Sequence, residues 1–85
     1  MLGTVTNVWR QQEAFACSIG IDLKVSDVIA FWDGLRFWEG SVLTIQKKGE
    51  SIVCASSGEI VGIKWSTSKL PPKDVRLFLR DDSIS

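Results

Sequence analysis

Histidine is absent from this 85-residue chain. Its absence removes the commonest general acid–base group and metal ligand together. No Ser/His/Asp or Cys/His catalytic constellation can be assembled without it. Cysteine is nearly as scarce. Cys17 and Cys54 stand singly with no C-x-x-C, too few ligands for a zinc or iron–sulfur site. Both read as small apolar fillers of strands. No G-x-x-x-x-G-K-[ST] loop is present, so the chain lacks the phosphate cradle that would hold GTP. No run approaches the roughly 18 apolar residues that a membrane span needs. The N-terminus shows no basic segment followed by an apolar block, so the expectation is a cytoplasmic protein without a secretion signal. Neither sign of charge dominates, with 10 Lys and Arg against 10 Asp and Glu. Nucleic acid would therefore have to be held by a local patch.

What the chain does have is short, β-prone runs cut by turn signals. Between Phe37 and Lys64 the runs Val42–Ile45, Ile52–Ala55 and Ile60–Ile63 are separated by Lys48-Gly49-Glu50 and Ser56-Ser57-Gly58-Glu59. Each run suits a strand and is too short for an average helix. Gly49 and Gly58 can take the positive φ of tight turns. The simplest reading is a three-strand meander. Val42 and Ile45 are three apart, which strict alternation cannot put on one face, so a bulge near Leu43-Thr44 is expected.

Upstream, Thr4 to Trp9 and Ala14 to Ile19 form a first hairpin across the polar Gln11-Gln12-Glu13. A helix over Arg10 to Ile19 is the competing reading, since Gln, Glu and Ala are good helix formers. Asp33-Gly34 directly follows the run Val28 to Trp32 and marks another tight turn at Gly34. Leu23-x-x-x-Asp27-Val28 is echoed by Leu70-x-x-x-Asp74-Val75. In both, an aspartate can bind backbone N–H groups as the chain enters a strand. Pro71-Pro72 excludes a helix or a central strand there. The sum is about six or seven short strands in one all-β domain over residues 1–80, a small closed antiparallel barrel. Residues 81–85 read as a mobile polar tail.

Val42-x-Thr44-Ile45-Gln46, Gly49-Glu50-x-Ile52 and Ala55-x-x-Gly58-Glu59-x-Val61-Gly62-Ile63-Lys64, with Gly3-Thr4-Val5-Thr6 and Leu23 to Ile29 upstream, are similar to the second, β-barrel domain of translational GTPases. The resemblance runs from about Leu2 to Leu79 and is nearest to small stand-alone versions of elongation factor Tu domain 2. It implies a non-catalytic barrel that associates with RNA, tRNA or a translation-related protein, with Asp27 and Asp74 in two "G-D" turns. Gly62 is expected to be a turn position as well, alongside Gly34, Gly49 and Gly58. Ser26 and Lys73 stand where those turns usually have glycine. Ile60 stands where tRNA carriers are often polar, which argues against an aminoacyl-tRNA pocket.

No residue set points to catalysis or to a cofactor. Four tryptophans are many for so short a chain. Trp32 and Trp38 flank the Asp33-Gly34 turn with Arg36 between them, and Trp65 follows Lys64. A ring beside a cation is the pairing that stacks bases and grips phosphates. Lys47, Lys48, Lys64 and Lys69 could extend it into a positive strip. The candidate binding set is therefore Trp32, Arg36, Trp38, Lys47, Lys48, Lys64, Trp65 and Lys69. The bland alternative is four rings plugging the barrel and lysines that are merely solvated. A second functional reading is a protein-interaction or self-association module that uses an aromatic-rich face.

Overall fold

The structure is a computed structural model, and it describes residues 1–80; the expected tail lies outside the described residues. Nine strands run in chain order: β1 (Gly3–Trp9), β2 (Ala14–Ile19), β3 (Leu23–Lys24), β4 (Val28–Trp32), β5 (Phe37–Lys47), β6 (Glu50–Ile52), β7 (Cys54–Ala55), β8 (Ile60–Trp65) and β9 (Arg76–Leu79). All pairings are antiparallel, and no helix occurs among the described residues. Neighbours in the main sheet follow β4-β9-β1-β2-β8-β5-β6, and a β4–β5 pairing closes six of these strands into a barrel. β6 adds to the free edge of β5, and β3 with β7 forms a separate two-stranded ribbon. The segment Arg10 to Ile19 is a turn and a strand, so the helical reading fails.

Two sequence expectations need correction. The three runs between Phe37 and Lys64 are no simple meander. The middle run breaks at Val53 into β6, which pairs with β5, and β7, which pairs with β3. The third run, β8, lies on the other side of β5. Gly62 is not a turn residue either; it sits inside β8, opposite Ala16 and Gln46. Gly34, Gly49 and Gly58 do occupy turns with positive φ.

The expected bulge is present, between Val42 and Thr44, and both Val42 and Ile45 point into the core as a result. A matching bulge lies between Val5 and Asn7. The match extends through the barrel. Val5, Asn7 and Val8 face Cys17, Ala16 and Phe15; Val42, Thr44 and Ile45 face Trp65, Lys64 and Ile63. Gly3 and Thr4 pair with Leu77 and Arg76 as Gly40 and Ser41 pair with Ile29 and Val28. The barrel is thus two copies of one strand arrangement, β1-β2-β4 and β5-β8-β9, related by a pseudo-two-fold axis.

The turns that open β4 and β9 obey the same relation. Ser26 N–H donates to Val42 O and Val42 N–H to Asp27 O, at 2.9 and 2.8 Å. Asp74 N–H donates to Val5 O and Val5 N–H to Val75 O, at 2.8 and 2.9 Å. The sequence echo is therefore real but one residue out of step, because Ser26 and not Asp27 is the counterpart of Asp74. Both counterparts are left-handed, with φ of 82° and 72°. Asp27 caps its turn as expected, its Oδ2 accepting from Lys24 N–H at 2.9 Å.

The core is filled from all six barrel strands by Val5, Phe15, Ile29, Phe31, Val42, Ile45, Ile63 and Leu77, each essentially inaccessible. Trp65 closes one side, edge-on to Phe15 at 5.7 Å between ring centres. Burial pushes the Cys17 thiol up to about 12, so it stays protonated and unreactive. Trp65 also explains Gly40. A Cβ there would meet Trp65 Cε3 at 2.7 Å and Thr67 Oγ1 at 2.5 Å.

These two kinds of position respond oppositely to substitution. Ser26→Gly relieves a left-handed serine and should raise unfolding free energy by up to about 1 kcal/mol. Gly40→Ala forces the Trp65 indole off its seat and should lower it by about 1–3 kcal/mol. Urea unfolding followed by far-UV circular dichroism reads both; equal effects of one sign would contradict the assignment.

Candidate binding site

The β4–β5 hairpin organises the most chemically loaded part of the surface. Trp32 pairs with Phe37, and Phe31 with Trp38. Phe31 points into the core, so Trp38 lies on the inner side of the hairpin, at the barrel mouth, while Trp32 and Phe37 face outward. Asp33 ties the loop together. Its Oδ1 accepts from Leu35 and Arg36 N–H at 2.8 and 2.9 Å, and its Oδ2 from Trp38 Nε1 at 2.7 Å. The indole bond first, and then the two backbone bonds, lower the Asp33 carboxyl from the ordinary 3.8 to about 2.

With its N–H fixed by Asp33, the Trp38 ring is half-buried against the core. The Arg36 guanidinium lies 3.7 Å over its centre and Lys69 Nζ 5.7 Å from it. Lys69 then shares a shallow hollow of about 330 Å³ with Arg10, Glu13, Ser68, Leu70 and Pro72. The β1–β2 turn leads from that hollow to a groove of about 410 Å³ lined by Trp9, Gln12, Ala14, Thr44, Gln46, Gly62, Ile63 and Lys64. Trp9 leans over Gly62, 4.0 Å from where a Cβ would be. A track thus runs Arg36–Trp38, Lys69, Arg10, Trp9, Lys64. None of its four cations has an ion pair among the described residues.

Of the residues picked from sequence, Arg36, Trp38 and Lys69 come together and Lys64 lies further along. Four do not join them. Trp65 is 5% exposed and belongs to the core, its Nε1 without an acceptor among the described residues. Trp32 is on the far side of the hairpin, 5.0 Å from Phe37. Lys47 is ion-paired with Glu59, whose carboxyl is held low by that bond and by Ser56 N–H. Lys48 is exposed in the β5–β6 turn with a φ of 52°. Asp27 and Asp74 sit in their separate turns and share no hydrogen bond. Sequence reasoning missed Arg10 and Trp9. Trp9 could be found as the outward ring ending β1, whereas a lone arginine in a polar turn carries no signal.

No protein family and no curated protein matches the chain. Two solved structures do, both of the C-terminal domain of a Geobacillus thermoleovorans protein named as a U32 peptidase. One superposes with a TM-score of 0.79 at 14% identity, covering 95% of this chain and 92% of that domain. Its selenomethionine variant superposes with a TM-score of 0.73 at 15% identity, covering 89% and 94%. At such identities the likeness is one of fold. It establishes the small closed barrel, and the two matched domains come from a protein named as a peptidase, not from a translational GTPase.

Asp33 offers a direct check on the hairpin. Its folded value lies below its unfolded one, so its stabilisation is complete above the ordinary 3.8 and is lost as pH falls through about 2. Trp38→Phe removes the largest cause, and the Asp33 carboxyl should move back toward 3.8 in an NMR titration. An unchanged titration would contradict the bond.

Proposed function

We propose that the barrel is a non-catalytic module that binds RNA along the Arg36–Trp38–Lys69–Arg10–Trp9–Lys64 track. The observation that carries this reading is the succession of exposed cations and two ring surfaces along two hollows that both border the β1–β2 turn, with Glu13 the one carboxylate among their lining residues. Single strands are held by this combination, phosphates by cations and bases by aromatic or guanidinium planes. A neutral net charge is compatible with a local patch: the four track cations have no ion pair among the described residues, whereas Glu39 and Glu59 are paired with Arg80 and Lys47. The same engagement supports a non-enzymatic role. Asp33, the carboxylate nearest the track's rings, is spent on three hydrogen bonds. The resemblance to the second domain of translational GTPases favours a partner within translation.

Fluorescence titration with short single-stranded RNAs at low salt tests the proposal. Tryptophan emission should be quenched, and affinity should fall with salt at a slope of about 0.7 per phosphate contacted. Trp9→Ala should cost about 1–3 kcal/mol of binding, as loss of a stacking platform does. Arg36→Ala with Lys69→Ala should flatten the salt slope. No quenching by any RNA at low salt would overturn the reading.

A further inference from the structure

On the outward side of the β4–β5 hairpin and β9, alternation has placed three rings in solvent. Ile29 and Phe31 of β4 and Leu77 of β9 point inward, so Ala30, Trp32 and Phe78 point outward. Phe37 of β5 joins them, 5.0 Å from Trp32 and 6.4 Å from Phe78. Ala30 pairs with Phe78 and is only 8% exposed despite its outward direction, so the rings roof it. Trp32 and Phe78 also bound a cleft of about 330 Å³ with Val75, Asp74 and Arg76. We propose that this patch is an isologous interface, where a second copy of this chain docks about a two-fold axis.

Two features select that occupant. The first is charge. The cleft is lined by one charge of each sign, Asp74 and Arg76, on either side of Val75 in the chain. A two-fold axis passing between them would set Asp74 of each copy against Arg76 of the other, a pairing that a second copy offers and a polyanion does not. The second is area. Trp32, Phe37 and Phe78 are 46%, 57% and 40% exposed. With about 150–250 Å² per aromatic side chain, they offer roughly 300 Å². Weak, transient interfaces take up to about 600 Å² from each partner, somewhat over half of it apolar, and the three rings with their polar rim match that size.

Analytical ultracentrifugation of the full chain, from about 1 μM to 1 mM, spans the affinities expected of such an interface. A concentration-dependent dimer is expected. Phe37→Glu, at an exposed position, should give a monomer with unchanged circular dichroism. Arg76→Glu sets like charges face to face and should weaken the dimer at least tenfold, and adding Asp74→Asn should recover part of the loss. A monomer at every concentration overturns the proposal, as does a dimer that persists in Phe37→Glu. None of these residues lies on the Arg36–Trp38–Lys69 track, so loss of the dimer with RNA binding intact, or the reverse, separates the two readings.

Discussion

Everything in this molecule depends on two clamps of backbone hydrogen bonds, one closed on Val5 and one on Val42. In each, a left-handed turn residue donates to the valine carbonyl and the valine N–H donates back to the next residue's carbonyl. Each clamp sits where its long strand bulges against its ladder partner, β1 against β2 and β5 against β8. A bulge sharpens local twist and bends the strand. Two of them, related by the pseudo-two-fold axis, turn what would be an open sheet into a cylinder. The left-handed strain at Ser26 and Asp74 is the local cost of steering β4 and β9 into the gap between β5 and β1.

Closure then decides what the hairpin between β4 and β5 can do. One side of it packs on the core, so Trp38 lies at the barrel mouth, presenting the face that Arg36 covers. The other side must face outward, and its rings collect as a patch around Ala30. A single hairpin thereby serves a cationic, ring-bearing edge and an apolar wall at once. The barrel contributes rigidity to both, since each is built on strands with partners along both edges.

Much of this was legible in the chain. β-branched runs and turn residues marked the strands, and the spacing of Val42 and Ile45 required the bulge. The matching bulge at Val5 and Asn7 was hidden, because Thr4 to Trp9 reads as unbroken alternation. Strand partners were not legible at all. Ile52 to Ala55 looks like one strand, and only the competition between β5 and β3 for its backbone splits it at Val53. Trp65 was readable in principle, since Val61, Ile63 and Trp65 share one face of β8, although the adjacent Lys64 gives it the look of a surface ring–cation pair. The aspartate echo misled by one residue, because backbone conformation rather than side-chain identity is what the two turns share.

Amide hydrogen exchange tests the central claim most directly. The clamp predicts that the N–H groups of Val5, Asp74, Ser26 and Val42 exchange as slowly as the core-strand amides of Phe15 and Ile63, and that both pairs open together. Exchange of Ser26 and Asp74 at the rate of an exposed turn, with the strands still protected, would contradict it and leave the barrel closed by some other means.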